Sequence, residues 1–320
     1  MTAARAQIKS QYQRQLPIYK RLEEEASFAL KSVIERRGIK VHSVASRIKE
    51  LDSFVGKLEK KRFQNPFQEM SDVVGLRVVC LFIGDIQNVR DAIHDSFNVV
   101  SEDDKIEGYD PSSFGYMSLH LVVTMKKGYS GPRYAEIASL PFEIQVRTIA
   151  MEAWATVSHY LDYKTEKDVP KKLRKDFYAL AGLFYVADKH FETFYKAGEV
   201  ARKQLRQAFS SSNPPLDVKI SQDAMDAYLH AKLPKWKHYH TDTSLVSKLA
   251  SVGLTKMSQI DDAFRRGWNA FLQYENNYNK EGKYYDTTVA IVIVSLVYPK
   301  FQKAWGTTGA FKKYRKLVIQ

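Results

Sequence analysis

Ser113-Phe114-Gly115-Tyr116-Met117-Ser118-Leu119-His120, followed by Phe142-Glu143-Ile144-Gln145-Val146-Arg147-Thr148, is the part of the chain that decides its fold. Successive side chains of an extended strand point to opposite faces. Tyr116, Ser118 and His120 therefore share one face while Met117 and Leu119 take the other, and Glu143, Gln145 and Arg147 share a face away from their apolar neighbours. Two such strands can form the floor of a cleft, although the same alternation also suits a sheet with one solvated side.

Working outward, residues 73–82 form a short, β-branched and nearly all apolar run, which reads as a third strand, and the periodicity of 86–97 reads as a helix between strands. Strands are expected over 73–82, 116–125 and 141–146. Apolar positions Ile8, Tyr12, Leu16, Tyr19, Leu22, Ala26, Leu30 and Ile34 predict a long amphipathic helix over 4–37, stopped by Gly38. A β-branched run at 39–44, a basic helix over 46–62, and helices over 148–163 and 171–209 complete this half. The expected class is α/β (α+β), a mixed sheet flanked by helices.

The tract Ser210-Ser211-Ser212-Asn213-Pro214-Pro215 has linker composition. It predicts two domains, 1–209 and 216–320, the second smaller and helical. The chain of 320 residues is long enough for both.

Its lone cysteine, Cys80, sits in an apolar run and reads as a reduced core residue, which excludes a disulfide framework or a Cys-rich metal site. No segment approaches the roughly 20 apolar residues of a membrane span, and Met1-Thr2-Ala3-Ala4-Arg5 leads into no apolar leader, so no membrane is involved and the expected location is cytoplasmic. A formal charge of +13 favours phosphate-rich partners without choosing between a nucleotide and a nucleic acid.

Three groups of residues carry the chemistry. Arg47, Lys49, Ser53 and Lys57 lie on one short segment, where several cations and a hydroxyl can meet one polyphosphate; a solvated basic helix face would look the same. Asp72 opens a buried strand in which Arg77 must find a partner or an open cleft, and a substrate phosphate could be that partner. The polar faces of the two alternating strands are the third group. Asp72 and Glu143 could there share Mg²⁺, whose preference for hard oxygen suits carboxylates and phosphates.

The ordered series Arg47-x-Lys49-x-x-x-Ser53-x-x-x-Lys57, Asp72-x-x-Gly75-x-Arg77, Gly115-Tyr116-x-Ser118-x-His120, Glu143-Ile144-Gln145-x-Arg147-Thr148, Trp154-Ala155, and His159 with Tyr163-Lys164 resembles the synthetase domain of the RelA/SpoT alarmone enzymes. The resemblance runs over about residues 20–205. It implies a nucleotidyltransferase-like fold that moves the β,γ-pyrophosphate of ATP to a ribose 3′-hydroxyl. It further implies that Arg47, Lys49, Ser53, Lys57 and Arg77 bind ATP, that Asp72 carries Mg²⁺, and that Glu143 shares the metal or takes the proton of the attacking hydroxyl. Tyr116 would stack on the acceptor base, with His120, Gln145 and Arg147 lining the acceptor side. The His-Asp hydrolase domain of the long bifunctional members is not among these motifs.

Members that use guanosine carry a Lys and an Asn just before Gly-Tyr, where this chain has Ser112, Ser113 and Phe114. A toxic branch of small synthetases, similar in that loop, modifies the 3′-terminal adenosine of tRNA. By that likeness the acceptor is the 3′ end of tRNA, making the chain a translation-inhibiting toxin with a role in phage defence. The alternative acceptors are GDP, GTP or adenine nucleotides, which would make the chain an alarmone synthetase of the stringent response. An inactive RNA-binding or interaction protein is the reading from another class, and the pair Asp72 and Glu143 argues against it.

From Leu216 onward, Trp236, Trp268, Trp305 and eight tyrosines alternate with Lys and Arg, which suits RNA stacking or docking on the enzyme domain. This region is expected either to be a fused neutraliser that answers a phage or antitoxin partner, or to be a helical extension that completes the core or dimerises. His230, His238 and His240 read as surface histidines rather than metal ligands.

Overall fold

The computed structural model describes residues 3–60, 63–106, 118–161, 169–278, 285–306 and 311–319. It opens with helix α1 (Ala3–Arg36), whose Tyr12, Tyr19, Leu22, Ala26, Leu30, Val33 and Ile34 are buried at helical spacing. Gly38, with φ of 64°, stops it, as the sequence predicts. The Ile39 amide donates to the Ile34 carbonyl at 3.0 Å and the Gly38 amide to Glu35 at 2.9 Å, the paired closure that a left-handed residue permits.

Five strands follow: β1 (Val41–Ile48), β2 (Val74–Cys80), β3 (Phe97–Asp104), β4 (Leu119–Met125) and β5 (Phe142–Thr148), in the order β1-β2-β5-β4-β3. β2 and β5 run parallel and every other pair is antiparallel. One face is apolar: Leu76, Val78, Ile144, Val146, Leu119, Leu121 and Val123 are fully buried in one core with α1 and helix α4 (Ile83–Ser96). Cys80 joins this core, and burial pushes its thiol up to about 12, so it is inert as a nucleophile. The opposite face carries the polar residues of β2, β4 and β5.

Two expectations need correction. The basic helix does not begin at residue 46. Ser46, Arg47 and Ile48 continue β1 and pair with Leu76, Gly75 and Val74, and helix α2 (Leu51–Lys60) starts only after Lys49 and Glu50. Strand pairing thus overrides the local helical pattern, and Arg47 stands on the sheet rather than on one helix face with Lys57. β3 was not predicted, because Val100 is an extra residue between the Val99–Val123 and Ser101–Val122 pairs, which breaks the alternation, and the strand ends in Glu102, Asp103 and Asp104. As an edge strand it tolerates those acids, which pair with Arg90, His94 and Lys105.

A short helix α3 (Pro66–Glu69) precedes β2, helix α5 (Ile149–Tyr160) follows β5, and helix α6 (Arg174–Phe209) comes next. The chain divides into two compact units, Met1–Phe194 and Tyr195–Gln320, within α6. The 210–215 tract therefore lies inside the second unit: Phe209 is buried in that unit's core and Leu205 packs against it.

The second unit contains α7 (Gln222–Lys232), α8 (Thr243–Ser251), α9 (Met257–Tyr278), α10 (Asp286–Val297), α11 (Pro299–Trp305) and α12 (Phe311–Arg315). α10 is apolar nearly all round and buried along most of its length, as a central helix should be. Trp236, Trp268, Tyr274 and Trp305 pack against this core, so burial accounts for much of the aromatic content read above as a stacking surface. His238 pairs with Asp286 and His240 with Asp226, each at 2.8–2.9 Å, and the His230 ring lies beside that of His238.

Gly267 of α9 lets α10 approach closely. A Cβ there would fall 2.9 Å from Val297 Cγ2 and 3.1 Å from Ile293 Cγ2. In an open helix Gly→Ala gains about 1 kcal/mol, but overpacking here is expected to make Gly267→Ala destabilising by about 1–2 kcal/mol. A higher urea midpoint in the variant would contradict that. No helix among the described residues is long and apolar enough to cross a membrane.

Candidate active site

Strand register builds the site. Arg47, Gly75 and Glu143 lie in one row across β1, β2 and β5, and Ala45, Arg77, Gln145 and His120 form the next row across β1, β2, β5 and β4. Partners directly opposite share a face, so pairing alone collects Arg47, Arg77, Glu143, Gln145 and His120 on the polar side of the sheet. Gly75 leaves that row open beneath the Arg47 side chain. Arg47, Asp72, Arg77, Glu143 and Gln145 line one open cleft of about 130 Å³, large enough for a phosphoryl group.

Asp72 stands in the turn before β2. Its Oδ2 accepts from Lys49 Nζ at 2.9 Å and Lys57 Nζ at 2.7 Å, which brings the loop after β1 and helix α2 onto one carboxylate. The Lys49 amide donates to the Val73 carbonyl at 2.8 Å, and Tyr12 donates its hydroxyl to the Lys49 carbonyl, so this corner is fixed from behind. Burial alone would raise the Asp72 pKa, but the hydrogen bonds and charges of Lys57 and Lys49 hold it below the usual carboxylate range. Asp72 Oδ1 is buried and has no hydrogen-bond partner among the described residues.

Glu143 is held from two sides. Its Oε1 accepts from His120 Nδ1 at 2.8 Å and its Oε2 from Gln145 Nε2 at 2.9 Å. Because a carboxylate can only accept, His120 Nδ1 carries the proton of that bond, and His120 Nε2 lies 2.7 Å from the Ser118 hydroxyl. Burial pushes the Glu143 pKa up, yet the bonds from His120 and Gln145 and the charge of His120 outweigh it and leave Glu143 low, despite repulsion by Asp72.

Arg77 finds a protein partner, where the sequence left a substrate phosphate open. Its Nη1 donates to Glu152 Oε1 at 2.6 Å and its Nη2 to Gln145 Oε1 at 3.3 Å. Glu152 Oε2 accepts from Arg147 Nη1 at 2.9 Å. Burial, then repulsion from Arg77, draws the Arg147 pKa down. Sequence reasoning missed Glu152; the available signal was a carboxylate in the first turn of a helix just after Arg147, a strand arginine that needed one.

Of the remaining expected residues, Ser53 is exposed on α2, one turn before Lys57. Tyr116, with Ser112 to Gly115, lies outside the described residues, as do Tyr163 and Lys164. Trp154 packs on Phe177 at 4.5 Å between ring centres, so this part of the quoted motif is core, and His159 is exposed.

A model of the region found in RelA/SpoT proteins matches residues 46–168, a span that contains Arg47, Asp72, Arg77, Glu143 and Gln145 of the cleft. The chain is similar to two proteins of Bacillus subtilis (strain 168). GTP pyrophosphokinase YwaC is 34% identical over 155 residues, which is 47% of this chain and 71% of that protein. GTP pyrophosphokinase YjbM is 33% identical over 173 residues, covering 51% and 79% respectively. Among solved structures, a GTP pyrophosphokinase family protein from Streptococcus pneumoniae superposes with a TM-score of 0.50 at 25% identity, over 63% of this chain and 97% of that one. By sequence, by fold and by the carboxylates and cations gathered in its cleft, the chain belongs to the RelA/SpoT family of pyrophosphotransferases.

Proposed function

We propose that the protein transfers the β,γ-pyrophosphate of ATP to the ribose 3′-hydroxyl of a guanine nucleotide. The observation that carries this is the convergence of two ionised carboxylates and two arginines on one open cleft. The 3′-oxygen attacks the β-phosphorus of ATP, the bond from that phosphorus to the α,β-bridging oxygen breaks, and AMP leaves. Glu143 takes the hydroxyl proton as general base, since it is a carboxylate at neutral pH and His120 and Gln145 fix its orientation. Arg47, Lys49, Lys57 and Arg77 receive the ATP phosphates and Gln145 and His120 serve the acceptor, while Ser53 for ATP and Arg147 and Tyr116 for the acceptor are assigned from the family resemblance alone. The transfer needs in-line positioning and charge neutralisation above all.

A divalent ion fits this donor set. Asp72 keeps one buried oxygen without a partner in the cleft that Glu143 also lines. Mg²⁺ bound there would neutralise charge on the phosphates being transferred. Among the described residues no three acidic, His or Cys side chains group as a metal site, so its remaining ligands would be water and phosphate oxygens.

The names of the two Bacillus relatives support a guanine nucleotide as acceptor. A second reading, transfer to the 3′ end of tRNA by a translation-inhibiting toxin, is favoured by Ser112-Ser113-Phe114 before Gly115-Tyr116 and by the charge of +13. Incubation with γ-labelled ATP, offering GDP, GTP, adenine nucleotides and tRNA with an intact CCA end, is expected to label GDP or GTP. Label on tRNA alone would establish the second reading, and no label on any acceptor would sink both.

A further inference from the structure

Thr148 is the last residue of β5 and the N-cap of α5. Its fully buried hydroxyl has two commitments: Oγ1 accepts from the Met151 amide at 3.1 Å and donates to Asp188 Oδ2 of α6. Asp188 is 2% exposed and has no part in the chemistry above. Burial, together with Glu192, pushes its carboxyl up to about 6 against the opposing pull of the Thr148 bond and Lys189. The contact runs from the Thr148 hydroxyl to a carboxylate oxygen of Asp188. The Thr148 proton must point toward it, which leaves a lone pair of the same oxygen for the Met151 amide.

The residue after Met151 is Glu152, whose two oxygens separate Arg77 from Arg147. Arg77 also reaches Gln145, and Gln145 reaches Glu143. One backbone step from Met151 to Glu152, and then polar contacts through Arg77 and Gln145, thus lead from the strand-to-helix junction to the carboxylate that takes the proton. A helix start that slips would move Glu152, and both guanidinium groups would follow.

We propose that Asp188 and Thr148 act as a positioning pair, locking the first turn of α5 so that Glu152 holds Arg77 and Arg147 in the orientation the transfer requires. This rests on the transfer chemistry proposed above. Neither residue touches the cleft; each acts through Glu152. A helix cap serving stability alone would need no buried carboxylate behind it, since solvent or a backbone carbonyl can take a threonine proton.

Thr148→Val removes the hydroxyl with little change of shape, Asp188→Ala removes the acceptor, and Thr148→Ser keeps the bonding and serves as the conservative rescue. Thr148→Val and Asp188→Ala, checked as folded by circular dichroism, are expected to lower kcat by about ten- to a hundredfold, as a misplacement of about an ångström does. The KM for ATP should change far less, Thr148→Ser should stay near wild type, and hydrogen exchange at the Met151 and Glu152 amides should accelerate in the first two variants only. Folded variants with wild-type kcat would overturn the proposal, as would a Thr148→Ser enzyme as impaired as Thr148→Val. Should the wild-type chain transfer no pyrophosphate, the function reading falls and the pair is judged by amide exchange and by binding of a non-hydrolysable ATP analogue. If both were unchanged in Thr148→Val and Asp188→Ala, the positioning pair would fall as well.

Discussion

Replacing Glu143 with Gln is expected to lower kcat by about 10²- to 10⁴-fold, the range that a positioned general base supplies, while the protein stays folded. The substitution keeps the shape and one oxygen acceptor, so the sheet row of Arg47, Gly75 and Glu143 should survive. It removes the proton acceptor and the charge that a cation in the cleft would share with Asp72. The same assignment fixes a pH dependence. The folded protein holds the Glu143 pKa below its ordinary 4.5, because the His120 and Gln145 bonds outweigh burial. Stability from these bonds is therefore fully present above the unfolded value and is lost as pH falls through the lower folded one. Any acid limb of the rate profile due to Glu143 must lie below the ordinary glutamate range, and Glu143→Gln must lack it. A folded Glu143→Gln enzyme within about threefold of wild-type kcat would refute the base assignment.

Glu152→Gln is expected to cost the most stability, about 3 kcal/mol, at the low end of what breaking a buried ion pair costs. The low end applies because the Glu152 and Arg77 side chains keep 24% and 32% of their exposure. Arg147 keeps only 3%. With the carboxylate gone, two guanidinium groups that already repel one another would face each other at a buried strand end. A second change, Arg77→Met, should restore part of the loss by removing one of the opposed charges, which is the signature of coupling in a double-mutant cycle. Urea unfolding of the three variants measures this. A Glu152→Gln loss under about 0.5 kcal/mol, typical of an exposed pair, would show that the two arginines do not depend on Glu152.

Much of the sheet was legible because its signals are local. The alternation in Phe142-Glu143-Ile144-Gln145-Val146-Arg147 predicted both a strand and its polar face, and β5 spans Phe142–Thr148 with Ile144 and Val146 fully buried. The run at 73–82 predicts a strand and contains β2 (Val74–Cys80), since few other structures suit a short apolar β-branched segment. β3 was not legible, because a bulged residue and three acids remove both period and propensity. Arg47 was placed on a helix since Arg47, Lys49, Ser53 and Lys57 suit one, and nothing nearby announced that Gly75 would pair with it.

The site divides in the same way. That Asp72, Glu143 and the cations belong together came from the resemblance and residue chemistry, and the structure brings Arg47, Asp72, Arg77, Glu143 and Gln145 to one cleft. The details that set their charge states were not readable. Lys49 and Lys57 both close on one oxygen of Asp72 and leave the other bare, and Arg77 is answered by a residue 75 positions away.

Local sequence is enough for β2, β4 and β5 as strands, for the polar faces of β4 and β5, for the end of α1 and for the family to which the motifs point. Each of these depends on spacing within a few residues, through side-chain alternation, helical period or the left-handed freedom of Gly38. The register that aligns β1, β2, β5 and β4, the pairing of Glu152 with Arg77 and Arg147, and the burial of Asp188 behind Thr148 come from the folded chain alone. Those arise from contacts between residues far apart in the chain, where the energy of a buried charge or hydroxyl depends on what the rest of the fold places beside it.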